Sequence, residues 1–435
     1  MKILNVIGCL LALCSAVGVG SAAANDQIPG PEQSRPLLIR GATLHTVDGD
    51  VIEAGDLLFD NGRIVAVGND IQPEKGTQVI EAAGKHVYPG LFDGMTDLGL
   101  REITGVDVTV DHAERGDKNP NVRSWVSVNP DSELIPVARA SGVLLAHVAP
   151  GGRFFQGQSA VMQLDGWTAS EMNLSAPSAM CVSWGATQVS DADPKAEAKK
   201  RDQKLEELDQ WLDRAARYAE QRAAGSAIED IQLEALLPVI QGRLPLMIHA
   251  DRRDSIESAV AYAQSRKLKL VIYGGYDAAD CAELLKHYNV PVIIAGTLRL
   301  PLRRHDPFDH PYTLPQRLQA AGVKYAIAGE GPGYPGGASN VRNLPYHAGC
   351  SVAYGLSRED AVRAITLSPA EILGVSDRVG SLTVGKDATL IIADGDILET
   401  ESNVVDAYIQ GRKVDLSSRH TMLFDKYRRK YNRSR

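Results

Sequence analysis

Positive charge is in short supply in this chain of 435 residues: 46 Lys and Arg stand against 54 Asp and Glu, for a formal net charge of −8. A protein with that balance presents no broad basic field, so no nucleic-acid partner is expected. Cysteine is scarce as well, at five, and Cys181, Cys281 and Cys350 are too scattered to form a disulfide framework. Beyond residue 24 there is no run of about 18 apolar residues, which leaves no candidate for a membrane-spanning helix there. Collagen-like and coiled-coil patterns are missing too. What is present is an ordinary globular mixture, 44% hydrophobic and 23% charged. Its length suits two or three domains, or one large barrel with an appendage, with a core that needs no disulfide staples.

The first 24 residues read as an export leader. Lys2 opens them, Ile3 to Val19 is apolar, and Ala22-Ala23-Ala24 before Asn25 forms a small-residue cleavage site. Gly18, Gly20 and Ser21 end the apolar run too early for a membrane anchor. The expectation is a periplasmic or secreted protein with no integral membrane segment after cleavage.

Residues 36–88 carry short β-type runs separated by Gly, Asp and Asn, among them Leu37 to Arg40, Leu57 to Phe59 and Arg63 to Val67. The same texture returns over residues 376–415, in Ser381 to Val384, Thr389 to Ala393 and Val405 to Ile409, so both chain ends are expected in one small β-sandwich. Between them, over residues 89–375, apolar strands alternate with helices: Val143 to His147, Ala160 to Leu164, Leu244 to His249, Leu268 to Tyr273, Pro291 to Ala295 and Lys324 to Ala328 read as strands. That alternation implies a parallel sheet. No dinucleotide glycine fingerprint follows the first strand, so an α/β fold of the (β/α)8 TIM-barrel type is expected rather than a Rossmann sheet, with chemistry at the strands' carboxyl ends. Asp193 to Gly225 reads as a long amphipathic helix on the barrel wall through Leu205, Leu208, Leu212, Ala215 and Ala219. Residues 416–435 form a basic tail, read as solvated and frayed, with an acidic partner or an envelope surface as the sharper reading.

Val87-Tyr88-Pro89-Gly90-Leu91-Phe92-Asp93 closes the first sheet and opens the first barrel strand. Together with His249-Ala250-Asp251-Arg252, Asn343-Leu344-Pro345-Tyr346, Ile365-Thr366-Leu367-Ser368-Pro369-Ala370 and Val379 to Ala388, it resembles the amidohydrolase superfamily, specifically its imidazolonepropionase-like exported members. The resemblance implies hydrolysis of carbon–nitrogen bonds other than peptide bonds. In that chemistry a metal lowers the pKa of a bound water to about 7 and a strand-end carboxylate carries the proton. It also implies a small amide or cyclic-amide substrate.

The ligand positions implied by the resemblance are mostly changed. The His-x-His pair falls on Met95 and Asp97, the histidine after the sixth strand on Gly274, and the aspartate after the eighth on Glu330. Gln163 cannot bridge two metals, and only His249 is kept. A thioether is a poor ligand for a hard or borderline divalent ion. Two readings follow. One is a single zinc-like divalent ion held by Asp97, His249, Asp251 and Glu330, with Glu330 as the catalytic acid–base. The other has no metal: a pseudoenzyme that binds a ligand or partners an active paralogous amidohydrolase, or itself as a homo-oligomer. Metal-free hydrolysis by the Asp97 and Glu330 carboxylates is a third route. Asp111, His112 and Arg252 are weaker candidates for substrate contact. His86, His305 and His310 read as surface or loop residues, His347 as a capping or packing residue, and Cys350 as core. If the scaffold still aims the old positions, Met95→His, Asp97→His, Gly274→His and Glu330→Asp should restore a metal site.

Overall fold

The barrel and the β domain are each carried by one eight-stranded sheet. In the computed structural model the described residues are 27–184, 194–226, 228–332 and 336–431. The expected leader, residues 1–24, lies outside them.

The first sheet draws on both ends of the chain: β1 (Leu37–His45), β2 (Val51–Asp60), β3 (Arg63–Gly68), β4 (Gln78–Glu81) and β5 (His86–Pro89) from one end, and β14 (Leu390–Ala393), β15 (Val404–Ile409) and β16 (Arg412–Lys413) from the other. Their order is β16-β15-β14-β5-β1-β2-β3, with β4 added on β1. The join between the ends is the antiparallel pairing of β5 with β14, in which Tyr88 faces Ile391. A second join lies at β3, where Ile64 N donates to Lys386 O at 2.9 Å and Gly385 N to Ile64 O at 2.8 Å. Ser381 to Val384 is not a strand; it runs as a loop that still docks, through Leu382 N on Thr46 O. Leu37, Ile39, Leu57, Phe59, Leu390 and Tyr408 fill the space within this sheet.

The second sheet is the barrel: β6 (Leu91–Thr96), β7 (Val143–Val148), β8 (Phe155–Gln163), β9 (Asn173–Ser183), β10 (Leu246–Ala250), β11 (Leu270–Gly274), β12 (Val292–Ala295) and β13 (Tyr325–Ala328), side by side in chain order. Seven run parallel and β8 runs against both neighbours. The reason is loop length: a parallel crossover takes about a dozen residues or more, whereas only Ala149 to Phe154 separate β7 from β8. The Pro150-Gly151-Gly152 turn sends the chain straight back, and the eighth parallel strand expected at Ala160 to Leu164 becomes an antiparallel one.

Alternate residues of each strand serve different layers. Met247, Val271, Tyr273, Ile293, Ala326 and Ala328 belong to one buried cluster with Phe92 and Met95. Ile248, Ile272, Ile294 and Ile327 pack in the larger cluster that holds the surrounding helices. That cluster also takes Leu208, Trp211, Leu212, Ala215 and Tyr218 of the helix Pro194–Ala223, which therefore lies on the barrel as its periodicity predicts. The basic tail is not frayed throughout: Arg419–Lys430 is a helix with a Ser418/Thr421 capping box.

Candidate functional site at the barrel mouth

Because seven strands point the same way, Asp97, His249, Asp251 and Glu330 all emerge at one end of the barrel, His249 as the penultimate residue of β10 and the others just past β6, β10 and β13. They do not converge on a common point. After β6 the chain makes a tight turn, with Leu100 N on Asp97 O at 2.9 Å and Gly99 at φ +79°. The turn folds Arg101 back over Asp97, and its Nε lies 3.0 Å from Asp97 Oδ2 with both side chains buried. Asp251 is held on two sides, by His249 Nε2 at 3.3 Å and Arg299 Nη2 at 3.6 Å, and Tyr276 N donates to its Oδ1 at 3.2 Å. Burial works to raise its pKa, but the His249 hydrogen bond and charge and the Arg299 charge prevail, and the net direction is down. Glu330 Oε2 accepts from Asn340 Nδ2 at 2.6 Å.

Tyr273 lies buried beside them, its ring 5.1 Å from the His249 ring. Burial first, then the nearby Asp93 and Asp251 charges, push its phenol well above the ordinary value. Gly331, at φ +77°, leaves the room for that phenol: a Cβ there would overlap the Tyr273 hydroxyl. Beneath lies Asp93, fully buried, whose Oδ1 accepts from Met95 N at 3.2 Å and Gly329 N at 3.1 Å. Since β6 and β13 are the two ends of the strand order, this carboxyl spans the seam that closes the barrel. Its Oδ2 is buried with no hydrogen-bond partner. Burial pushes its pKa up to about 7, against the two backbone hydrogen bonds.

Two buried histidines shape the surroundings. His147 Nδ1 is 2.8 Å from Gly94 O, so it carries the proton, and its Nε2, 2.7 Å from Ser159 Oγ, accepts from that hydroxyl. Burial lowers its pKa to about 4. His347 Nδ1 accepts from Thr297 N at 3.0 Å and Leu298 N at 3.2 Å, which anchors the loop that presents Arg299. It too is lowered to about 4 by burial, as an acceptor nitrogen requires.

Of the weaker candidates, His112 comes close to the mouth. Burial, then the Arg101 charge, lowers its pKa, with Asp97 opposing. Asp111 is exposed, and Arg252 pairs with Asp254 at 3.6 Å. His310 is no surface residue: it stacks on Tyr276 at 4.4 Å and its Nε2 lies 3.1 Å from Tyr276 O. His305 is exposed beside Asp306. His86 is 3.0 Å from His45, away from the mouth.

Comparison with known proteins points one way. Residues 318–423 match the amidohydrolase family. The amidohydrolase tasK of Hapsidospora irregularis is 21% identical over 391 residues, 82% of this chain and 39% of that protein. An imidazolonepropionase of Erwinia tasmaniensis is 28% identical over 146 residues, 34% of each chain. The chain thus spans well under two thirds of the length of both relatives. The crystal structure of an amidohydrolase from Thermotoga maritima MSB8 superposes with a TM-score of 0.76 at 24% identity, covering 87% of this chain and 99% of that one. The family match and the superposition agree on an amidohydrolase-type fold.

Set against the metal centre that the amidohydrolase resemblance implies, the donors here do not fit. Among the described residues no group of three or more His, Cys, Asp or Glu could hold a metal ion. The expected set of Asp97, His249, Asp251 and Glu330 is therefore not assembled, and the physical reason is visible in their partners. Guanidinium groups supply positive charge beside Asp97 and Asp251, and an amide takes Glu330. Gly274 cannot simply be changed back. It sits at φ +97°, and a Cβ there would lie 2.9 Å from Asp251 Oδ1 and 2.9 Å from His249 Cδ2. The expected restoration by point substitution thus meets both backbone strain and an occupied space. The Asp97 and Glu330 pair is likewise committed to Arg101 and Asn340.

Sequence reasoning missed Arg101, Tyr273 and Arg299, read His347 as a capping or packing residue, and used Asp93 only as part of a motif. Tyr273 was within reach: it shares strand parity with Val271 and stands next to Gly274.

Proposed function

We propose that this amidohydrolase-superfamily barrel binds a small amide or cyclic amide at its mouth without a resident metal, and does not run metal-dependent carbon–nitrogen hydrolysis. The observation that carries this reading is the buried Arg101–Asp97 pair, which neutralises at 3.0 Å a carboxylate that a divalent ion would otherwise need. The rim supplies what an amide can use. Arg299 and His249 are partly exposed donors and Glu330 is a partly exposed acceptor, so a carbonyl oxygen and an N–H can be met together. Tyr273 and Tyr276 lie buried beneath the rim, and the Arg299 guanidinium stands 5.1 Å from the Tyr276 ring centroid, which holds that cation in place. The deciding experiment is calorimetric titration of chelator-treated protein with hydantoin-like and dihydropyrimidine-like cyclic amides. Binding that survives chelator and weakens in Arg299→Ala supports the reading; hydrolysis that chelator abolishes overturns it.

A second reading rests on Asp93. With a pKa near 7 and one oxygen free of hydrogen bonds, it has the proton affinity of an acid–base group at neutral pH. Metal-free turnover that disappears in Asp93→Asn, with Tyr273→Phe reduced, would favour that route.

A further inference from the structure

The helix Arg419–Lys430 has no buried residue, although it carries Leu423, Phe424 and Tyr427, with Tyr431 directly after it. These are 40%, 52%, 48% and 63% exposed. At 3.6 residues per turn, Leu423, Tyr427 and Tyr431 follow each other at spacings of four, and Phe424 lies beside them, so the four form one stripe. Exposed large apolar groups scattered singly call for no explanation, but a continuous aromatic stripe does. Its edges are basic: Arg419, Lys426 and Lys430 fall along one side and Arg428 along the other. The helix holds five Arg or Lys and a single acid, Asp425, in a chain whose formal charge is −8. The cations lie over the aromatics, Arg428 5.6 Å from the Phe424 ring and Lys430 5.3 Å from the Tyr431 ring. Long basic side chains flanking an apolar stripe can keep their charges at headgroup level while the stripe enters the acyl boundary.

We infer that this helix docks the protein onto the surface of an anionic lipid bilayer, lying in the plane of the interface. Charge complementarity argues against the other occupants. A second copy would bring two helices of the same strong positive charge face to face, and an acidic protein would satisfy the cations but not the aromatic stripe between them. The chain-wide acidity argues against broad membrane attraction, and the inference confines it to this one element. It does not rest on what the barrel mouth binds.

The test is co-sedimentation of the full chain with phosphatidylcholine vesicles, with and without phosphatidylglycerol. Wild type should bind only the anionic vesicles and be released by high salt. Each basic residue near such a surface contributes about fivefold in partitioning, so Arg428→Glu with Lys430→Glu should weaken binding at least about 25-fold. Leu423→Ser with Tyr427→Ser should abolish it, and because these side chains are exposed both variants should melt with wild type. No binding of wild type to anionic vesicles overturns the inference, as does equal binding by either variant. So does self-association in analytical ultracentrifugation that vanishes in the Leu423→Ser, Tyr427→Ser variant, since the stripe would then be an interface between copies. If the serine variant melts early, the charge-reversal variant alone decides.

Discussion

Replacing Arg101 with Met removes the cation that stands 3.0 Å from Asp97 Oδ2 and leaves a wholly buried carboxylate without it. At an effective dielectric of about 20, two unit charges at that distance attract by roughly 5 kcal/mol. Desolvation of both ions offsets much of this in the intact pair. Removing one partner leaves the other's desolvation uncompensated, and such lesions cost about 3–5 kcal/mol. Methionine keeps the length and apolar stem of the side chain, so the loss reports charge rather than a cavity. Arg101→Met should therefore lose about 3–5 kcal/mol in urea denaturation at neutral pH. The double variant Arg101→Met, Asp97→Asn should recover most of it, because neither charge then remains buried. If the single variant is as stable as wild type, or the double variant no better than the single, Arg101 is not the counter-charge of Asp97.

Three further outcomes follow from the same site. Asp93 binds a proton in the fold up to about pH 7, against an ordinary carboxyl value of 3.8, so the folded state holds more protons than the unfolded state in that window and stability falls as pH rises through it. Wild type should lose up to roughly 4 kcal/mol between pH 4 and 7 relative to Asp93→Asn, read as the difference between two denaturation series so that the buried histidines cancel; parallel curves would contradict the buried-acid assignment. His347→Ala should leave the Thr297 and Leu298 amides without their acceptor, at about 1–3 kcal/mol, and hydrogen exchange should quicken at residues 297–299; unchanged exchange there would remove His347 from the positioning of Arg299. Gly331→Ala puts a side chain at φ +77° against the Tyr273 hydroxyl, so it should lower stability by more than about 1 kcal/mol, and Tyr273→Phe should relieve part of that loss; full stability of Gly331→Ala would mean the phenol is not seated there.

The barrel was legible because its signal is repetitive: apolar runs such as Leu268 to Tyr273 and Lys324 to Ala328, separated by helices, leave little choice of architecture. The joining of the chain ends was legible for the same reason, since β-runs at each end need a partner for their edges. The reversal of β8 turns on one short loop, and strand patterning is blind to direction. At the site, the residues at the metal positions implied by the resemblance were readable as substitutions, but not the partners that those side chains take. Arg101 acts on Asp97 through the turn at Gly99, and Arg299 acts on Asp251 from a different strand end, by way of a loop anchored on His347. Those couplings are tertiary, and a buried ion pair reads in sequence as two ordinary surface residues. The helix at Arg419–Lys430 was obscured by its charge, which drew attention away from the aromatic stripe running through it.

The central proposal is that the barrel mouth holds no resident metal, with Arg101 and Arg299 beside Asp97 and Asp251. Elemental analysis of the purified full chain, prepared without chelator and then equilibrated with zinc and dialysed, tests it most directly. The account predicts well under one metal ion per chain, and the same low value in His249→Ala. One tightly held ion per chain, lost in His249→Ala or Asp97→Asn together with a hydrolytic activity, would contradict it.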